Sequence, residues 1–85
     1  MKLIYFAWVR EKSGVSEERI ALPENLATVR DLLVWQRARG DRFAEALSKP
    51  EVIRVALDHA LARPDAPIAS AREIAFFFSG LELVG

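Results

Sequence analysis

The sequence predicts one small α+β domain, a mixed sheet of about five strands packed on one main helix. Three observations point there. The chain has 85 residues, of which 52% are hydrophobic, enough for one core and one domain. Its two ends carry the most aromatic β-forming runs, with Tyr5, Phe6 and Trp8 in one and Phe76, Phe77 and Phe78 in the other. Between them, residues 28–40 hold start and stop signals of a helix.

Residues 2–9 are short on helix signals and rich in β-formers, so a first strand is expected there. Leu3, Tyr5, Ala7 and Val9 form the expected core face, because the opposite set, Lys2, Ile4, Phe6 and Trp8 through Arg10, begins and ends in charge. Residues 10–14 read as a turn, with Gly14 free to take positive φ. A shorter strand over 17–22 completes a hairpin, closed by Pro23, Glu24 and Asn25.

Thr28 opens the main helix, since Thr28-Val29-Arg30-Asp31 has the form of a capping box with Asp in place of the usual Glu. Gly40 supplies its stop, with Arg37 and Arg39 at the negative end of the dipole. The apolar stripe is Val29, Leu32, Leu33 and Trp35. Val34 falls off it, and Gln36 falls within it as a partly buried amide satisfied locally. Arg30, Arg37, Arg39 and Arg42 read as a solvated helix face. A second short helix is expected over 41–48, with Asp41 as N-cap and Phe43, Ala46 and Leu47 on one side, ending before Pro50. Residues 52–57 form a strand with Ile53, Val55 and Leu57 on one face. A brief extended piece over 60–63 leads into the turn 64–67, with Ile68 as an anchor. Residues 70–72 turn into the last strand, 73–78, and residues 79–85 form a C-terminal tail.

A hairpin, a main helix, a short helix and three more strands is the order of a β-grasp fold, in which the first and last strands pair in parallel at the sheet centre. Central parallel strands are apolar on both faces, as the two aromatic runs are.

Composition narrows the function. Twelve basic and twelve acidic residues cancel, so there is no basic excess for binding nucleic acid. No apolar run reaches the ~18 residues of a membrane span, and the start does not read as a secretory signal. The chain lacks cysteine, which removes disulfides, thiolate metal sites and a cysteine nucleophile. The expected location is the cytoplasm. His59 is the only histidine, so no multi-histidine metal site is expected. Asp58 and His59 read as a polar pair at a strand end rather than part of a catalytic triad. Gly14, Gly40, Gly80 and Gly85 are too dispersed for a phosphate loop. The inventory is that of a binding partner rather than a complete enzyme.

Certain stretches are more specific. Leu3 through Glu11 with Gly14, Thr28 through Leu33, Arg54-Val55-Ala56-Leu57-Asp58, Pro67-Ile68 and above all Glu73 through Phe77 resemble the small subunit of molybdopterin synthase, a ubiquitin-like sulfur carrier. The resemblance covers residues 1–77. It departs at Phe78-Ser79, where the family has prolines, and at Val84-Gly85, where it ends in Gly-Gly. It implies a non-catalytic carrier subunit of a sulfurtransferase complex. The Gly85 carboxylate would be adenylated by an E1-like partner enzyme that uses ATP, then converted to a thiocarboxylate. A large subunit would transfer that sulfur to a pterin precursor in molybdenum cofactor biosynthesis. No tightly bound cofactor and no metal are implied. Phe76, Phe77, Phe78 and Gly80 would form the partner contact. The other reading is a β-grasp interaction module, or an altered-tail derivative, without sulfur transfer.

Overall fold

The computed structural model describes residues 1–78. Five strands, β1 (Lys2–Tyr5), β2 (Glu17–Arg19), β3 (Ile53–Leu57), β4 (Ala60–Ala62) and β5 (Glu73–Phe78), form one sheet in the order β2-β1-β5-β3-β4. β1 and β5 are parallel and central, and the other pairs are antiparallel. Helices α1 (Ala7–Ser13), α2 (Val29–Arg37) and α3 (Asp41–Ala46), with a 3-10 turn over Pro50–Val52, are the other elements among the described residues. This is the expected ubiquitin-like β-grasp.

The core lies between α2 and one face of the sheet. Leu3 and Tyr5 of β1, Ile74 and Phe76 of β5, and Val29 and Leu32 of α2 are all buried there. Tyr5 and Phe76 sit opposite each other in the β1–β5 register, and their rings stack with centroids 5.2 Å apart. The capping box at the start of α2 is formed as expected. Thr28 Oγ1 accepts from the Asp31 amide at 3.3 Å, and Asp31 Oδ2 accepts from the Thr28 and Ala27 amides, each at 3.1 Å.

Several expectations are corrected. The first strand stops at Tyr5 rather than residue 9, and the expected turn is a helix. The Phe6 amide makes a last bond to the Phe76 carbonyl at 3.0 Å, and the Phe6 carbonyl then accepts from the Val9 and Arg10 amides. Val9 and Ser13, four residues apart, form the buried face of α1. Gly14 does take positive φ, 78°, but as the cap of this helix, donating to the Arg10 carbonyl. The second strand is confined to Glu17–Arg19; Ile20 leaves the ladder and exchanges backbone bonds with Met1.

The end of α2 also differs. The helix ends at Arg37, where the Ala38 and Arg39 amides bond tightly back to Trp35 and Gln36. Gly40 caps α3 in place of Asp41, at φ 154°, which suits glycine. α3 itself ends at Ala46. Val52 belongs to the 3-10 turn, so β3 starts at Ile53. Gln36 is fully buried rather than partly so, and its partner is distant. Arg39 is not simply a solvated charge: it pairs with Glu18 on β2 and stacks over Phe43.

Candidate functional site

The three consecutive phenylalanines of β5 are separated by the alternation of a strand. Phe76 points into the core and is 0% exposed. It offers no surface to a partner, so the expectation of a contact there is corrected: its ring is used up against Tyr5. Phe77 points to the opposite face of the sheet, where it lines a hollow. Phe78 returns to the first face, half-buried against Trp8 with ring centroids 6.0 Å apart. Gly80 and Gly85 lie outside the described residues.

Phe77 therefore belongs to the open face of the sheet. There it lines a shallow hollow of about 440 Å³ with Ile4, Phe6, Ala56, Leu61 and Ala75. β1 supplies Ile4, Phe6 follows directly after β1, β3 supplies Ala56, β4 supplies Leu61 and β5 supplies Ala75 and Phe77, so the hollow crosses four strands. Phe6 is 46% exposed and Leu61 68%. Sequence reasoning placed Ile4, Phe6 and Trp8 on the face away from the core but gave that face no role. The signal was present for Ile4 and Phe6, which are too apolar for a solvated strand surface, whereas Trp8 belongs to α1 and packs against Phe78.

One rim of the hollow is polar. Glu73 at the start of β5 lies 3.7 Å from Lys2 Nζ and 3.5 Å from His59 Nε2. Asp58 and His59 form the two-residue turn between β3 and β4, both with positive φ, 47° and 75°. Asp58 Oδ1 accepts from the Arg72 amide at 2.9 Å and the Glu73 amide at 3.0 Å. Those two bonds hold its carboxyl below the usual carboxylate range. The pair thus ends a strand, as expected, and Asp58 additionally fixes where β5 begins. Its carboxylate is directed to backbone amides, away from a catalytic arrangement with His59.

Among the described residues, no group of three or more His, Asp or Glu side chains could hold a metal ion. None of the described helices is long and apolar enough to cross a membrane. What the described surface offers is an apolar sheet face that includes the strand leading to residue 79.

Comparison with known proteins agrees with this architecture. The model of the ThiS family matches residues 3–78. A solved structure from Pyrococcus furiosus, described as molybdopterin converting factor, subunit 1, is similar over 91% of this chain and 93% of its own. It shares 27% identity, with a TM-score of 0.70. SAMP1 from Haloferax volcanii has the same fold over 91% of each chain, at 22% identity and a TM-score of 0.67. No curated protein matches the chain.

Proposed function

Because the chain belongs to the ThiS family, we propose that it is a sulfur carrier acting as the small subunit of a molybdopterin synthase. The family match across residues 3–78 carries this reading. The similarity to molybdopterin converting factor, subunit 1 supports it and suggests a large-subunit partner. The apolar face around Ile4, Phe6 and Phe77 is the surface on which that partner docks.

The chemistry takes place on the Gly85 α-carboxylate, and this chain supplies the substrate rather than the catalyst. An E1-like enzyme directs a carboxylate oxygen to the α-phosphorus of ATP, and pyrophosphate leaves. A sulfur nucleophile then attacks the acyl carbon of the adenylate. With hydrosulfide as that nucleophile, AMP departs carrying one of the original carboxylate oxygens, and loss of the sulfur's proton leaves the chain end as a thiocarboxylate. The large subunit passes that sulfur to a pterin precursor. The requirement on the carrier is a reachable chain end beside a rigid docking surface. β5 carries Phe77 of that surface and runs up to residue 79.

Val84 precedes Gly85, so the test uses a cognate adenylating enzyme that takes a branched side chain next to the reacting glycine. Incubation of the chain with that enzyme, ATP and a sulfur donor should add about 16 Da, the exchange of one oxygen for sulfur at the acyl carbon. No mass gain, beside a control carrier that is converted, would favour a β-grasp interaction module without sulfur transfer.

A further inference from the structure

The helix side of the sheet has a second concave surface, apart from the open face. A groove of about 690 Å³ runs between α2 and the β3–β4 edge. On α2 it is lined by Arg30, Leu33, Val34 and Arg37, which stand at the i, i+3, i+4 and i+7 spacing of one helix face. That stripe differs from the one buried in the core, which includes Leu32 and Gln36. Val34 is 53% exposed on it. Leu61, which borders both the groove and the open face, is 68% exposed.

The charge of the groove is one-sided. Arg54 and Arg63 line it from the sheet, so four arginines meet a single carboxylate, that of Glu51. None of the four guanidinium groups makes an ion pair among the described residues. Arg54 donates to the Glu51 backbone carbonyl at 3.2 Å. Asp31, beside Arg30, directs its Oδ2 to the Ala27 and Thr28 amides. Basic and acidic residues cancel over the whole chain, so this excess is local.

The sheet side of the groove also holds an unfilled strand position. β5 pairs with β3 along its full length, from Ile53 to Leu57. β4 pairs only with Val55, Ala56 and Leu57. Among the described residues, none stands opposite Ile53 or Arg54 on that side. The sequence explains the gap. Pro64 has no N–H to give a ladder, and its carbonyl turns to accept from the Arg30 amide at 2.9 Å. An uncovered length of edge strand is a template for another strand.

We propose that this groove receives an extended segment of a partner protein in which carboxylates alternate with aliphatic side chains, laid along the uncovered edge of β3. Guanidinium groups pair with carboxylates through two parallel bonds. The apolar wall of Leu33, Val34 and Leu61 calls for aliphatic side chains, which neither a nucleic acid nor a free anion carries. Arg30 and Arg37 lie about 10.5 Å apart along the helix axis, a distance that about three extended residues cross. An acid, an aliphatic residue and a second acid thus match the stripe from Arg30 over Leu33 and Val34 to Arg37. The site leaves the open face around Ile4 and Phe77 free, and it does not depend on the proposed sulfur chemistry.

The probe is a heptapeptide of alternating Glu and Val, blocked at both ends, titrated into the full, isotope-labelled chain. The amide signals of Val34, Arg37 and Arg54 should shift on saturation while those of Ile4 and Phe77 stay in place. Arg37→Glu combined with Arg63→Glu should weaken binding by at least about tenfold, with circular dichroism unchanged. Peptides with Lys for Glu, with Ser for Val, or with alternate backbone nitrogens methylated should each lose at least about as much. Shifts centred on Ile4 and Phe77 would overturn the proposal. So would equal binding of the Ser peptide, or the same shifts with inorganic phosphate alone, because either would reduce the groove to a general anion site. Equal binding of the methylated peptide would remove the added strand. Sedimentation of the free chain as a dimer that Arg37→Glu dissociates would assign the groove to a second copy instead.

Discussion

The Gln36 side-chain amide donates to the Tyr5 hydroxyl at 2.7 Å, joining α2 to β1 across a sequence separation of 31 residues. The same hydroxyl donates to Glu18 Oε1 at 2.6 Å, and Arg39 bonds to both Glu18 and Gln36. Gln36 of α2, Tyr5 of β1, Glu18 of β2 and Arg39 just beyond α2 thus satisfy one another's polar groups. Among the described residues, no buried side-chain nitrogen or oxygen lacks a partner. The network sets how α2 crosses the sheet, because a buried amide with a remote partner tolerates one placement.

Removing the hydroxyl should therefore cost more than an average hydrogen bond. Tyr5→Phe leaves the Gln36 amide buried with one donor unsatisfied, a loss of about 1–3 kcal/mol. Burial, reinforced by the Glu18 hydrogen bond, also raises the Tyr5 pKa well above the ordinary tyrosine value. A raised folded-state pKa contributes stability that is present below the unfolded value and lost as pH climbs above about 10. Tyr5 is the only tyrosine, so tyrosinate absorbance reports on it alone. The absorbance should rise together with unfolding, and the alkaline loss of stability should shrink in Tyr5→Phe. A free titration near the ordinary value with the fold intact would contradict the buried network.

Asp58 predicts the opposite sign at low pH. Its lowered carboxyl, held by the Arg72 and Glu73 amides, stabilises the fold above the unfolded pKa of about 3.9. That stability is lost as pH falls through the lower folded value. Asp58→Asn keeps an oxygen acceptor and tolerates the positive φ, so it should fold well and show a flatter acid limb in thermal melts. Asp58→Val loses the acceptor and strains the backbone at φ 47°, so its Tm should fall well below that of Asp58→Asn. Equal Tm values for the two variants would mean that the turn does not depend on this side chain.

Phe76 and Phe77 should separate stability from docking. Phe76→Ala empties the centre of the core and should cost about 3–5 kcal/mol in urea titrations. Phe77→Asp places a charge on the open face, where solvent can reach it. Circular dichroism should remain that of the wild type while affinity for the large subunit falls by tenfold or more, a change of about 1.4 kcal/mol or greater. Unchanged affinity, measured by calorimetry, would move the docking surface elsewhere.

Much of this protein was legible in its sequence. The order of the five strands with α2 and α3, the capping box of Thr28 and Asp31, and the apolar alternation of the two aromatic strands follow from signals that are local or that repeat with a strand's period. A cap depends on residues three apart, and alternation depends on residues two apart, so neither needs the rest of the chain. The open apolar face was partly written there too, as Ile4 and Phe6, but a run of β-formers does not say where a strand stops, and Trp8 goes with α1 instead. Only the tertiary structure decided that the chain leaves the sheet after Tyr5, because β5 offers its final ladder bond at Phe76 and the core then accepts Val9 and Ser13 from a helix. Tertiary structure likewise assigned Gln36 to Tyr5, Asp58 to the start of β5, and Phe76 to the core rather than to a partner. Each of those assignments depends on a group more than ten residues away, and the free energy of a buried polar or aromatic side chain is set by what surrounds it in space.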